Sequence, residues 1–167
     1  MKLAVTAILA IILVFSVVAI QNVTAQPLLI SITPDGQVEG TSAIQRNGNV
    51  YTLTSNLEEG SIVIEASNIV LDGAGFNIGE IYRVEGNKVE IKNLKIKAQD
   101  IAIQIFGSEC KILNNEIQAK FTGIRFSQSN NNIILGNKID AEAGVGIGFE
   151  TSNNNQICHV NFLTLHL

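Results

Sequence analysis

The sequence predicts an all-β protein, a single-stranded parallel β-helix of about five coils preceded by an N-terminal signal helix, on three observations. The first is an internal repeat. Ile96, Ile117 and Ile139 lie 21 and 22 residues apart. Spacings of 21 and then 23 recur in Ile103, Ile124 and Ile147, in Ile105, Phe126 and Phe149, and in Ser108, Ser129 and Ser152. A fixed period of this length is the mark of stacked repeats. The second is alternation within a unit: Ile101, Ile103 and Ile105, then Thr122, Ile124 and Phe126, then Val145, Ile147 and Phe149 lie two apart, as on one face of a strand. That places Ala102 and Gln104, Gly123 and Arg125, and Gly146 and Gly148 on the outer face. The third is the spacers. Asn114-Asn115, Ser129-Asn130-Asn131-Asn132 and Ser152-Asn153-Asn154-Asn155 are bend-forming residues, and no helical spacing is sustained between them. Short strands bent by turns and repeated in register bury their apolar faces by winding as a solenoid with about 4.8 Å between coils.

Residues 1–25 read as a secretory signal peptide. Lys2 supplies the basic start, Leu3 to Ile20 the apolar run, and Val23-Thr24-Ala25 the exit, with cleavage after Ala25; left uncleaved, the same run would anchor the chain in a membrane. Residues 26–48 are less regular, with a turn at Pro34-Asp35-Gly36, and are expected to cover the N-terminal end of the coil.

The solenoid is assigned to residues 49–167. Val50 to Leu53 and Ile62 to Ile64 read as its first strands, and Ser67 lies 41 residues before Ser108, close to two repeats. Ile96, Ile117, Ile139, Ile103, Ile124, Ile147, Ile105, Phe126 and Phe149 form the predicted core stack, whose branched side chains suit a packed pleated surface. Lys95, Glu116 and Lys138, with Phe162 next, fall at one outward position; exposed pairs of that kind are worth about 0.2–1 kcal/mol. Asn93, Asn115, Asn137 and Asn161 are expected to form a ladder in which each amide bonds the coils above and below. At the far end Asn161-Phe162-Leu163 matches Asn137-Lys138-Ile139 and no polar cap follows, so the solenoid is expected to be incomplete there.

The chain of 167 residues carries a net charge of -4 with no basic cluster, which disfavours nucleic acid. Export would permit disulfides, but Cys110 and Cys158 occupy different repeat positions two coils apart, about 10 Å along the axis. Both are expected to be unpaired and packed as small apolar residues.

The run from Tyr51 to Leu57, then Gly60-Ser-Ile-Val-Ile, Ser67-Asn-Ile-Val-Leu-Asp-Gly-Ala-Gly and Val89-Glu-Ile-Lys-Asn-Leu-Lys-Ile resembles the opening of archaeal secreted β-helix proteins. Those belong with the NosD-type "periplasmic copper-binding" and pectin-lyase-like superfamily, and the later Ser-x-Asn-Asn-x-Ile units are similar to its repeats. The resemblance runs from about residue 33 to the C-terminus and implies a right-handed coil. It fixes no activity, because that superfamily includes lyases, glycosidases, epimerases and adhesins.

The candidate sites are therefore weighed residue by residue. Asp72 precedes glycine at a bend with no second acid on its strand, which favours a turn role over calcium or sugar chemistry. Arg125 could act as a lyase base, yet its neighbours at the repeat spacing are Gln104 and Gly148, not stacked acids, so a solvated surface role is favoured. Cys158-His159 invites a copper reading, but the mature chain has no methionine and His166 stands seven residues on. Gly144-Val-Gly146-Ile-Gly148 is half of a nucleotide fingerprint with no helix after it. No catalytic, cofactor or metal residue is assigned, and calcium would enter only with further coils. The expected role is that of an exported solenoid, extracellular or at the cell surface, serving structure, surface presentation or contact with an extracellular polysaccharide or cell-surface component. The alternatives are a polysaccharide lyase or hydrolase whose catalytic coils lie further on, and a copper-delivery accessory protein.

Overall fold

The computed structural model describes residues 28–163; the signal segment of 1–25 and residues 164–167 lie outside that range. All of its regular structure is β, in short strands separated by turns. The chain enters along β1 (Leu28–Ile32), turns back in the two-residue β2 (Val38–Glu39), and forms an antiparallel hairpin from β3 (Ile44–Asn47) and β4 (Val50–Leu53). The long β5 (Leu57–Ile64), β6 (Val70–Asp72) and long β7 (Asn77–Val84) follow. Then the winding becomes regular, with three strands to a coil. These are β8 (Glu90–Lys92), β9 (Lys95–Ala98) and β10 (Ile101–Ile105), then β11 (Lys111–Leu113), β12 (Glu116–Ala119) and β13 (Thr122–Ser127). A third set, β14 (Ile133–Leu135), β15 (Lys138–Ala141) and β16 (Val145–Glu150), precedes β17 (Gln156–Cys158) and β18 (Asn161–Phe162).

Like strands of successive coils pair in parallel and make three faces. On the first, Tyr51, Leu71, Ile91, Ile112, Ile134 and Ile157 stack in one column. On the second the column is Ile78, Ile96, Ile117, Ile139 and Phe162. The third holds two columns, Ile81 to Ile103, Ile124 and Ile147, and Val84 to Ile105, Phe126 and Phe149. The Phe126 and Phe149 rings lie 5.1 Å apart, stacked. Isoleucine over isoleucine at strand spacing fills the interior, so most of these side chains are fully buried. Phe149, Ile157 and Phe162 stand at the outer ends of their columns and are exposed.

The residues 26–48 assigned as a covering segment contain a true coil strand. Ile30 and Ile32 of β1 lie in parallel register with Ile62 and Ile64, so the winding already includes β1. The polar remainder folds back on it, held where the buried Tyr51 hydroxyl donates to the Gly36 carbonyl at 2.8 Å and Arg46 lies over the Tyr51 ring.

Two of the three corners repeat a left-handed residue. Asn68, Lys88, Glu109, Asn131 and Asn154 form one such column with φ of 55–60°, and Asn93, Asn114, Gly136 and His159 form another with φ of 50–69°. Asparagine tolerates this conformation because its short amide bonds locally, which is why spacers rich in asparagine and glycine mark the bends.

Several alignments shift by one residue. Asn93 is level with Asn114, at the exposed bend position, so the position inside the coil reads Leu94, Asn115, Asn137, Val160. Asn161 stacks on Lys138 and Phe162 on Ile139, which removes Asn93 and Asn161 from the ladder and Phe162 from the Lys95 column. The ladder proper is Asn115 with Asn137: Asn115 bonds the Leu94 amide through Oδ1 at 3.0 Å and the Ile91 carbonyl through Nδ2 at 3.1 Å. Asn132 and Asn155 make an equivalent pair below the next corner, with Asn132 Oδ1 accepting from the Cys110 amide at 2.8 Å. Ser108 is level with Asn130 and not with Ser129, because the corner after Phe126 is one residue longer than the corner after Ile105. Ala102 is fully buried, and Gly123 and Gly146 back onto Ile139 and Phe162, so these three are small because they line the inside of a corner. Among the described residues every buried side-chain nitrogen and oxygen has a partner.

Candidate functional site: a groove along the second face

The second face, β9, β12 and β15, turns Lys95, Glu116 and Lys138 outward in one column and Lys97, Gln118 and Asp140 in the next. Beside it the chain of β5 departs from ladder register. Four steps from Leu57 to Ser61 oppose two steps from Ile78 to Glu80, so β5 bulges by two residues. A bulge re-aims side chains, and this one swings Glu58 and Glu59 out as a wall. Gly79 sits opposite, where a Cβ would lie 2.8 Å from the carbonyl oxygens of both Glu58 and Gly60; only glycine lets the two backbones approach there.

Floor and wall enclose a groove of about 830 Å³ that reaches from Glu58 to Leu163. It crosses about five strand spacings, roughly 24 Å along the axis. Its volume falls in the ligand-pocket range of about 300–1,000 Å³. The lining is polar: three lysines, five carboxylates and the amides Asn77, Gln99 and Gln118. Part of this set is already bonded. Ser61 donates to Glu80 at 2.8 Å, Asn77 donates to Glu58 at 3.4 Å, and Lys138 donates to Glu116 at 2.9 Å. The Lys138 bond, its charge and that of Lys95 hold the Glu116 carboxyl below the ordinary glutamate range. Among the described residues no hydrogen bond or ion pair engages the side chains of Lys97, Gln99 and Gln118, which line the groove.

The sequence named the outward column Lys95, Glu116 and Lys138 for its register alone and singled out no groove residue for a functional role. The period does place Lys97, Gln118 and Asp140 in one column, and that signal was there to be read; the bulge of β5 has no signature in the repeat, because it lies in the least regular coil.

The residues that were singled out lie elsewhere. Asp72 closes a turn, its Oδ1 accepting from the Ala74 amide at 2.9 Å and from Asn93 at 3.1 Å, with Lys92 3.8 Å away. Arg125 stands between Gln104 and Gly148 on the third face and donates to Glu150 at 2.7 Å, a bond that lowers the Glu150 carboxyl. Ser127 donates to the same carboxylate at 3.3 Å. Glu150 is the partner the sequence reading missed, because it lies two positions beyond the residue level with Arg125. The two cysteines are free, and they differ. Cys110 is fully buried, and burial pushes its thiol up. Cys158 is exposed, contrary to the expectation of two packed thiols, because β17 turns it outward above Leu135 and Leu113.

Comparison with curated proteins finds no match, and neither does comparison with solved structures. The profile of one family, described as "Periplasmic copper-binding protein (NosD)", matches residues 33–164. That span takes in nearly every strand described above, from the β1–β2 turn to the last coil, and the chain belongs to the NosD family.

Proposed function

We propose that this protein is an exported, non-catalytic β-solenoid that receives an extended, neutral, hydroxyl-rich polymer, such as an uncharged polysaccharide, in the groove along its second face. The observation that carries this reading is the lining of the groove, in which amides and lysines are interspersed with carboxylates over about 24 Å. A hydroxyl both donates and accepts, so a sugar chain can meet Glu59 and Lys97 alike. A polyanion meets five carboxylates against three lysines and is disfavoured. The family's periplasmic description and the basic and apolar start of the chain support export.

Affinity electrophoresis of the purified protein through gels containing mannan, xylan or polygalacturonate tests this. Retardation by a neutral polymer, lost in a Lys97→Ala/Gln118→Ala variant of unchanged melting temperature, is the expected result. Migration unaffected by every neutral polymer, or retardation by polygalacturonate alone, overturns it.

A further inference from the structure

The family description implies copper, and copper makes definite demands on the donors a chain supplies. Copper sites are built from clustered cysteine, methionine and histidine. The whole sequence holds two cysteines, two histidines and one methionine: Cys110, Cys158, His159, His166 and Met1. Met1 and His166 belong to the segments outside the described residues.

Cys110 is unsuited. It is fully buried in a column between Val89 and Asn132, and its Sγ lies 3.6 Å from the carbonyl oxygens of Gly86 and Ser108. Thiolate is the form that ligates metal, and burial raises the thiol away from that form. Cys158 and His159 are exposed at the end of β17, two coils from Cys110 and at another repeat position. The positions stacked beneath Cys158 are Leu135, Leu113 and Lys92, and those beneath His159 are Gly136, Asn114 and Asn93. None is a soft donor. Among the described residues no three of histidine, cysteine, aspartate and glutamate gather closely enough to hold an ion. The buried amides that recur up the coil are occupied too, each bonded to backbone or to the next asparagine.

From these positions we propose that this solenoid is not a copper site: the NosD winding is used here as a scaffold whose described residues gather no cluster of soft donors, and Cys110 serves as a core residue. Repetition makes the contrast sharp. A residue placed once per coil is delivered in a stack for nothing more than the period, and this chain uses that device for isoleucine, asparagine and left-handed bends, while among the described residues no cysteine or histidine stacks on another.

The test is a competition on the full chain. Under anaerobic conditions the protein is mixed with cuprous bicinchoninate, and the colour of the complex and the melting temperature of the protein are followed together. The expected result is that less than roughly half an equivalent of copper leaves the chelator and the melting temperature does not move, since a metal bound to the folded state alone raises it. Cys158→Ser and His159→Ala/His166→Ala variants should give the same readings. Transfer of more than roughly half an equivalent, or a rise in melting temperature that Cys158→Ser abolishes, overturns the proposal.

Discussion

Asn137 Oδ1 accepts two hydrogen bonds from one residue of the preceding coil, the backbone amide of Asn115 at 2.9 Å and its side-chain amide at 3.0 Å. Both residues are buried. Asn137→Leu would strip partners from Asn115 and from the Ile112 carbonyl, and unpartnered buried groups cost about 1–3 kcal/mol each. A fall in melting temperature of roughly 10 °C is expected. Asn161→Leu, at an exposed position outside the ladder, should change stability by less than about 0.5 kcal/mol. Equal melting curves for the two variants would sink the ladder.

Glycine is required where coils touch through backbone. A Cβ on Gly107 would drive into the carbonyl of Gly86, and one on Gly86 into that of Ala66, whereas a Cβ on Gly148 meets nothing within 4 Å. Gly107→Ala should therefore destabilise by about 1–3 kcal/mol or more, as overpacking does, and Gly148→Ala should be neutral or mildly stabilising. Urea unfolding of the two variants separates them; equal midpoints would contradict the packing at that corner.

Thiol labelling reads the two cysteines apart. Ellman's reagent at pH 8 is expected to modify one thiol per chain rapidly, that of Cys158, while Cys110 reacts only on unfolding, because it is buried and its thiol is raised. The Cys158→Ser variant should show no rapid phase. A rapid phase that persists in that variant would place Cys110 at the surface.

The Lys138 and Glu116 pair makes stability depend weakly on pH. The Glu116 carboxyl is lowered in the folded chain, so its contribution is present above the ordinary glutamate value and fades as the pH drops through the folded value. Lys138→Met should raise the titration midpoint of Glu116, followed by carboxyl-carbon NMR. Both side chains are about half exposed, so the stability difference at neutral pH should stay under about 1 kcal/mol and vanish in acid. A Glu116 midpoint that Lys138→Met leaves in place would show that the pair does not form in solution.

The columns were legible in the sequence wherever a large aliphatic residue recurs: Ile96 over Ile117 over Ile139, and Ile103 over Ile124 over Ile147, follow from counting alone. Register failed by one residue where the repeated types are polar and adjacent. In Asn114-Asn115 one asparagine turns the corner and the next enters the coil, and a count of asparagines cannot tell which. Inward and outward sides were misread at Ala102, Gly123 and Gly146 because strict alternation breaks down where a strand rounds a corner. The groove was the least legible feature, since it depends on the extra residues of β5, which have no period.

The corner between Phe126 and Ile133 is one residue longer than the corner between Ile105 and Lys111, yet the strands on either side keep their register with the neighbouring coil. Faces are locked by the stack, so length can change only where the chain bends. An inherited insertion or a grafted epitope should accordingly be accommodated beside Gln128, whose backbone already sits at φ 54° to absorb the surplus, while the same peptide spliced into β12 would have to displace a layer of the interior. Lineages of this fold can diversify their outline freely at three edges and hardly at all along the walls between them.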